Sequence, residues 1–419
     1  MPTALIPRPG FHNMFGSTLV KKESGSASPD SDSDQRFERP KGLRGVYYHP
    51  ITQIIMLGFV CFLCPGMFNA LTGLGGGGQM HATTSANSTC ALYAMYAFFA
   101  FFSGTVNNKI GVKWTLFLGS FGYALYVGSY LAVNIHPDAG GFVVGAGAAL
   151  GVTAAFLWTA QGSIMLSYAT EAHKGVFISI FWGIFNLGAV VGSAVSFGQN
   201  FHSTVLGNGT YVGFLILTLI GVIIPLLMAD PDKMLRTDGT KVVTPRHPSW
   251  KSEFYNLWVA IISDPMILLL FPMFFASNYF YTWQFNDYNS ALFNIRARSL
   301  NNLMYWLSQI AGSMMIGVVL DNSRSRRRAR AFTGWFVLLI MVFVVHIWAY
   351  YYQKTYTRQS ITPDAQKMDI YDSAYPAHIW LMIFYGLLDA MWQTTCFWLI
   401  GAMSNDTNKL AIYAGFCES

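Results

Sequence analysis

The chain has 419 residues, of which 53% are hydrophobic and only 11% are charged. A soluble protein of this length would normally carry about a quarter charged residues, so the composition excludes a typical soluble domain. The net charge of +6 does not indicate nucleic-acid binding, because the basic residues fall in loops between apolar segments. The composition therefore predicts an all-α, polytopic helical membrane protein whose main partner is the lipid bilayer.

Residues 1–44 are polar and rich in Ser, Pro and Asp, which predicts a disordered cytosolic tail. The first apolar run begins at Ile51, too far along the chain for a secretory signal peptide, so we expect an uncleaved first span. Cys61 and Cys64 form a CxxC pair inside this run. No second pair follows, so we expect no metal site there.

Ten apolar segments are long enough to cross the hydrocarbon core, which takes about 20 helical residues. They are 51–73, 90–106, 112–133, 141–166, 175–197, 211–229, 257–283, 300–320, 331–352 and 377–400. An eleventh begins at Leu410 and the sequence ends at Ser419. The pattern predicts ten full spans and a truncated eleventh.

Charge predicts the orientation of these spans. With the N-terminus in the cytosol, most of the 26 lysines and arginines fall in cytosolic segments, as the positive-inside rule requires. The predicted outer loops hold only Arg296, Arg298, Lys354, Arg358 and Lys367. Two glycosylation sequons, at Asn87 and Asn208, fall in predicted outer loops, so we expect both asparagines to be modified.

The loop between the second and third predicted spans contains Gly104, Asn108, Lys109, Gly111 and Lys113. It resembles the major facilitator pattern G-x-x-x-D-R/K-x-G-x-R/K-R/K, with an asparagine in place of the acid. The glycines would permit close helix crossing, and the basic residues would face the anionic leaflet. The alternative is a short basic loop with no gating role.

A second copy of this pattern follows the eighth predicted span and keeps Gly317, Asp321, Arg326 and Arg327. Each copy comes after the second helix of a six-helix half, and parallel halves are a known transporter architecture. We therefore expect an N-terminal six-helix half, a cytosolic basic linker and an incomplete C-terminal half. Their expected bounds are 45–229, 230–256 and 257–419.

Several longer segments narrow the resemblance to one family of major facilitator proteins. The first span runs from Pro65-Gly66 through Asn69 to the glycines of 75–78, and the fourth carries Leu157-Trp158-Thr159-Ala160-Gln161-Gly162. With Phe181-Trp182-Gly183 and Gly386-Leu387-Leu388-Asp389, these segments resemble the Unc-93 family, in its fungal branch, over residues 45–416. The resemblance implies a twelve-helix major facilitator fold. It does not imply one activity, since animal members regulate ion channels or escort Toll-like receptors and many fungal members are presumed transporters.

Asp389 lies near the middle of the tenth predicted span, where a charge is costly and usually functional. Gln393 follows one turn later on the same helix face. The pair predicts a substrate or proton site, and the alternative is a neutral packing acid. Other candidate site residues are Trp158 and Gln161 in the fourth span, Asn278 and Gln284 in the seventh, and Asn69 in the first. Helix-to-helix hydrogen bonding explains the amides equally well.

The sequence contains no G-x-S-x-G elbow, P-loop or HExxH motif, so we expect no enzyme activity, cofactor or metal. Two functions stay open. The first is a transporter that moves a small polar or ionic solute by alternating access, with proton coupling as an option. The second is a non-transporting regulator or escort of a membrane-protein partner.

Overall fold

A computed structural model of the chain describes residues 41–75, 81–168, 174–202, 206–242, 265–277, 280–321, 324–361 and 366–403, with single positions at 251, 255, 258, 259, 262 and 363. Most of the predicted tail, the linker beyond residue 242 and the predicted eleventh span lie outside the described residues. Asn278 also lies outside them.

The N-terminal part begins with a short helix, α1 (Leu43–Tyr47), followed by the first predicted span. That span consists of α2 (Pro50–Cys61), a π-helical segment (Phe62–Gly66) and α3 (Met67–Thr72). The π segment contains Pro65, whose missing N–H cannot continue the regular ladder. The next helices are α4 (Ala82–Ile110), α5 (Val112–Ile135), α6 (Gly140–Tyr168), α7 (Lys174–Asn200) and α8 (Asn208–Leu227).

The C-terminal part contains α9 (Pro265–Phe275), a second π-helical segment (Trp283–Ser290), α10 (Ile295–Leu320), α11 (Arg327–Gln353) and α12 (Tyr375–Met403). The described residues contain two isolated β-bridges and no named strand. An all-helical chain is expected in lipid, because a helix satisfies its own backbone hydrogen bonds. The predicted all-α class is confirmed.

Seven helices among the described residues are long and apolar enough to cross a membrane. An eighth is added if the two parts of α4, which meet at a bend of 61°, count as one span. The predicted number of ten spans therefore stays a prediction.

Buried apolar side chains form two clusters. The first draws on α2 to α8, with Leu57 and Phe181 among its fully buried members. The second draws on the second π segment and α10 to α12, with Tyr305 and Tyr385 among its members. Ala189 of α7 belongs to the second cluster, so the two clusters meet where α7 packs against α10.

Two predicted loop assignments are wrong. Arg296 and Arg298 lie in the first turn of α10, because the Asn294 side chain caps that helix by accepting a hydrogen bond from the backbone N–H of Ala297 (3.0 Å). Asn87 lies inside α4, which begins eight residues before the predicted span and starts with a polar turn. Both of these helices begin with polar residues, and the hydropathy pattern predicts such residues to lie in loops.

The crossing of α10 and α12 depends on small residues. A Cβ added to Gly312 would lie 2.6 Å from the carbonyl oxygen of Leu387, whereas a Cβ added to Gly317 of the same helix would meet no described residue within 4 Å. Close backbone approach of this kind is a common way for helices to associate in lipid.

We expect Gly312→Ala to lower the thermal unfolding midpoint of the detergent-solubilised protein, because overpacking a tight contact costs about 1–3 kcal/mol. Gly317→Ala is the matched control and should be neutral or slightly stabilising, since alanine favours a helix by about 1 kcal/mol over glycine. Equal midpoints for the two variants, measured by fluorescence-detected size exclusion after heating, would contradict the close crossing.

Candidate functional site

Asp389 lies at the middle of α12 and is only 1% exposed. One carboxylate oxygen, Oδ2, accepts three hydrogen bonds. The donors are the hydroxyls of Tyr281 (2.8 Å) and Tyr305 (2.7 Å) and Nε2 of Gln309 (2.5 Å). Donors that converge on a carboxylate stabilise its ionised form.

The other carboxylate oxygen of Asp389, Oδ1, is buried and accepts no hydrogen bond from the described residues. No lysine or arginine among the described residues forms an ion pair with this carboxylate. A buried charge without a partner is expensive in a low-dielectric surrounding, more so inside lipid. Oδ1 is therefore the atom of this group at which a proton or a cation can bind.

Packing fixes the cluster around Asp389. Close contact between Gly386 of α12 and the carbonyl oxygen of Tyr305 brings the two helices together one turn before the carboxyl. The ring of Tyr305 packs edge-on against Phe285 at 5.1 Å, and Phe285 stacks on Tyr281 at 6.0 Å. These ring contacts hold the two hydroxyls in place.

Tyr305 and Gln309 supply two of the three donors and were not among the predicted site residues. The signal for them is a polar stripe along α10: Asn301, Tyr305 and Gln309 recur every four residues on one face of a predicted span. Tyr281 lies between the predicted site residues Asn278 and Gln284 in the sequence, and its hydroxyl donates to Asp389.

Two more predicted site residues lie on the C-terminal helices. Gln393 follows Asp389 by one turn, and its Nε2 donates to the backbone oxygen of Ser277 at 3.2 Å. Gln284 is fully buried, and neither atom of its amide finds a hydrogen-bond partner among the described residues. Such an orphaned amide is rare in a folded interior, and it is a reason to consider a ligand there.

The predicted site residues of the N-terminal helices do not hydrogen-bond to the Asp389 cluster. Trp158 stacks on Trp182 at 6.5 Å, and Gln161 is buried less than one turn further along α6. The side chain of Asn69 on α3 is half-buried and makes no hydrogen bond to a described residue. An aromatic contact between Trp182 and Phe397 (6.3 Å) joins α7 to α12 in this region.

Three asparagines connect α3 to the C-terminal helices. Asn289 donates to the backbone oxygen of Gly73 (2.9 Å), and Asn302 donates to that of Ala70 (2.7 Å). Asn301 donates to Oδ1 of Asn289 at 3.0 Å. All three asparagine side chains are fully buried. We call Asn289, Asn301 and Asn302 the asparagine network.

Further hydrogen bonds from neighbouring side chains support the asparagine network. The hydroxyl of Tyr375 donates to Oδ1 of Asn301 (2.9 Å), and Nε1 of Trp306 donates to Oδ1 of Asn302 (2.8 Å). Arg298, predicted to be in a loop, is 3% exposed and donates to Ser290 at 2.9 Å. These hydrogen bonds are shielded from water, and they hold this end of the helices together.

In the structure, the first predicted gating loop consists of one residue between α4 and α5. Gly111 adopts φ +85°, ends α4 and begins α5, so a glycine is required at this turn. Gly104 lies inside α4, and no atom of the part of the chain that the structure describes lies within 4 Å of an added Cβ, so its predicted close helix crossing is wrong. Asn108 and Lys113 are half-buried and Lys109 is exposed.

The second predicted loop has similar features. An added Cβ at Gly317 also meets none of the described residues within 4 Å, so the predicted close crossing is wrong here as well. Asp321 ends α10 and is exposed. Arg326 begins α11, and Arg327 donates to the carbonyl oxygen of Ala402 at 3.4 Å, which ties the loop to the end of α12.

Relatives of known sequence share most of this chain. The family model for the ion channel regulatory protein UNC-93 matches residues 77–413. An UNC93-like protein of Schizosaccharomyces pombe is 45% identical over 398 residues, which cover 94% of this chain and 79% of the relative. UNC93-like protein 1 of Arabidopsis thaliana is 37% identical over 407 residues, which cover 96% and 86%.

Solved structures share the fold at low sequence identity. A D-xylose–proton symporter superposes with a TM-score of 0.57 at 13% identity, over 89% of this chain and 87% of that one. The nucleoside transporter NupG superposes with a TM-score of 0.55 at 13% identity, over 88% of each chain. The helices thus have the arrangement of major facilitator transporters, and the chain belongs to the UNC-93 family.

Proposed function

We propose that the protein is a secondary transporter that moves a small polar or ionic solute by alternating access. The observation that carries this proposal is Asp389, a buried carboxyl at the middle of a spanning helix. Three donors hold one of its oxygens, and the other finds no hydrogen-bond donor among the described residues. Ionisable groups at this depth mark solute and ion pathways. The xylose and nucleoside transporters that share the fold support the same class of function.

In this proposal, Asp389 and Gln393 bind the solute or a coupling proton from α12. Gln284 adds an amide with two unsatisfied atoms, and the further solute contacts are Trp158, Gln161, Asn278 and Asn69. The two halves, 45–229 and 257–419, move against each other around this site. The loops at Gly111 and Asp321 lie in the cytosol with the N-terminus and take part in gating.

Alternating access needs a contact between the halves that forms and breaks. The asparagine network fits this role, because its hydrogen bonds end on the backbone carbonyls of Ala70 in α3 and of Gly73 directly after it, and no charge is involved. Each hydrogen bond is modest in net energy, so a solute can shift the balance. In the predicted topology the network closes the outer end.

We expect the double variant Asn289→Ala/Asn302→Ala to open that end. In a background without the native cysteines, a cysteine at Gln161 should react several-fold faster with an impermeant maleimide added on the predicted outer side, because α3 is no longer tied to α10. The control is Asn134→Ala, which removes an asparagine hydrogen bond between α5 and α8 only (2.6 Å). Unchanged labelling, or the same increase in the control, would argue against the network as a gate.

We expect Asp389→Asn to reduce solute uptake into liposomes by at least about tenfold, because the variant cannot carry the charge. The assay uses radiolabelled pentoses, nucleosides, amino acids and amines with the purified full chain. Asp138→Asn changes an exposed carboxyl in the turn between α5 and α6, outside the site and the gating loops, and should keep wild-type uptake. Uptake that survives Asp389→Asn would remove Asp389 from the site, and no uptake of any solute above empty liposomes would contradict transport.

A second candidate function is regulation or escort of another membrane protein, which the description of the UNC-93 family as ion channel regulatory favours. Large side chains on α11, including Phe332, Trp335 and Phe343, are more than half exposed and could face a protein as well as lipid. This function predicts a stoichiometric partner after purification in mild detergent. A monomer that transports solute would rule it out.

A further inference from the structure

The turn between α10 and α11 carries a high density of positive charge. Five arginines lie within seven positions, and one acidic residue, Asp321, precedes them, which leaves an excess of four positive charges (five minus one). We name these five residues the arginine patch: Arg324, Arg326, Arg327, Arg328 and Arg330. No ion pair within the part of the chain that the structure describes involves Arg326 or Arg328.

Two members of the patch hold the turn in place. Arg330 donates to the backbone oxygen of Leu320, the last residue of α10, at 2.9 Å. Its guanidinium also lies over the ring of Trp398 on α12, 5.7 Å from the centroid. Arg327 donates to the backbone oxygen of Ala402 near the end of α12 at 3.4 Å. The patch is therefore fixed against the ends of two neighbouring helices.

Arg326 and Arg328 are exposed on this turn. The guanidinium of Arg328 lies over the ring of Phe332, 5.7 Å from its centroid. Phe332 is 60% exposed, and Trp335, less than one turn further along α11, is 57% exposed. An arginine that lies along an exposed aromatic ring at the end of a span has the arrangement of a side chain that snorkels to the membrane interface.

The length of α11 gives the depth of the patch. Its 27 residues extend about 40 Å at 1.5 Å per residue, roughly 10 Å more than the hydrocarbon core. At its other end Tyr350 and Tyr351 are exposed, and the Lys354 ammonium lies 4.2 Å from the Tyr351 centroid. With aromatic residues at both interfaces, the first turn of α11 reaches the lipid head groups. In the predicted topology these belong to the cytosolic leaflet, which carries the anionic lipids.

The choice of arginine points to phosphate. The corresponding loop at Gly111 uses Lys109 and Lys113, so lysine serves the topology of this chain as well as arginine does. A guanidinium is a planar fork of N–H donors that binds a phosphate through two parallel hydrogen bonds, whereas an ammonium is a point charge. Five arginines and no lysine in the patch therefore favour recognition of phosphate groups.

We propose that the arginine patch binds an anionic phospholipid whose head group ends in a phosphate. The phosphate lies against Arg326 and Arg328, and an acyl chain follows the exposed face of α11 at Phe332 and Trp335. A soluble phosphate compound would use the guanidinium groups but not this aromatic face. The site goes beyond the proposed function, because it applies to a transporter and to a regulator alike.

The test titrates the purified full chain in detergent with dioctanoyl lipids and measures the apparent Kd by microscale thermophoresis. Phosphatidic acid and phosphatidylinositol 4-phosphate carry a terminal phosphate, phosphatidylserine and phosphatidylcholine do not, and free inositol 1,4-bisphosphate lacks the acyl chains. At least one of the first two lipids should bind about tenfold more tightly than each of the other three compounds, because a terminal phosphate bears nearly two charges and accepts from several guanidinium donors.

Variants assign the binding to the patch. Arg326→Gln/Arg328→Gln should weaken it about twenty-five-fold, since each basic residue at a charged leaflet contributes about a factor of five. Arg326→Lys/Arg328→Lys keeps both charges and should still weaken it several-fold through loss of the forks. Both side chains are exposed, so the thermal unfolding midpoint should not change. Lys233→Gln/Lys241→Gln, which removes two exposed charges from the linker, is the control and should bind normally.

Three results would overturn the inference. Equal binding of phosphatidylserine, or full binding by the double lysine variant, would show that charge alone attracts the lipid. Equal binding of free inositol 1,4-bisphosphate would show that the ligand is not a lipid. An equal loss in the Lys233→Gln/Lys241→Gln control would show a general attraction instead of a site. Solute uptake is not measured, so these results are independent of the proposed transport function.

Discussion

Inside the hydrocarbon core there is no water to satisfy a polar group, so every donor and acceptor has to find its partner within the protein. The helices satisfy this constraint for the backbone, because each helix pairs its own N–H and C=O groups. Side chains meet it locally, as when Ser88 donates to the backbone oxygen of Val143 at 3.0 Å, or across the bundle, as in the asparagine network. Several buried polar atoms find no hydrogen-bond partner among the described residues, and Oδ1 of Asp389 and the amide of Gln284 are the ones that belong to predicted site residues in the spans.

The Asp389 cluster and the asparagine network lie on the same pair of helices. Small residues, among them Gly312 and Gly386, bring α10 and α12 into backbone contact and set the distance from Tyr305 to Asp389. The same α10 carries Asn302, which reaches α3. A shift of α10 would therefore change both the environment of the carboxyl and the contact between the two parts of the chain. In the proposed transport cycle, α10 would link the solute site to the gate.

Several features could be predicted from the sequence, and others could not. The long apolar runs predicted the helical membrane fold, and an acid at the centre of one run predicted Asp389 as a candidate. The start of α10 was missed because Arg296 and Arg298 look like loop residues, although the helix buries one and pairs the other with Asp369 at 2.8 Å. The close helix crossings predicted at Gly104 and Gly317 are wrong, because a glycine in the sequence does not reveal what faces it in the structure.

The sequence by itself determined that the chain folds in lipid, since long uncharged runs have no other stable environment, and it determined which residues are costly there. Only the tertiary structure decided which of these polar groups pair with one another and so offset the cost of their burial in lipid. Tyr281, Tyr305 and Gln309 converge on Asp389 from positions 80 to 108 residues away in sequence. The crossing angles and rotations of the helices determine which side chains come into contact. Both depend on packing between helices, which a local sequence pattern does not encode.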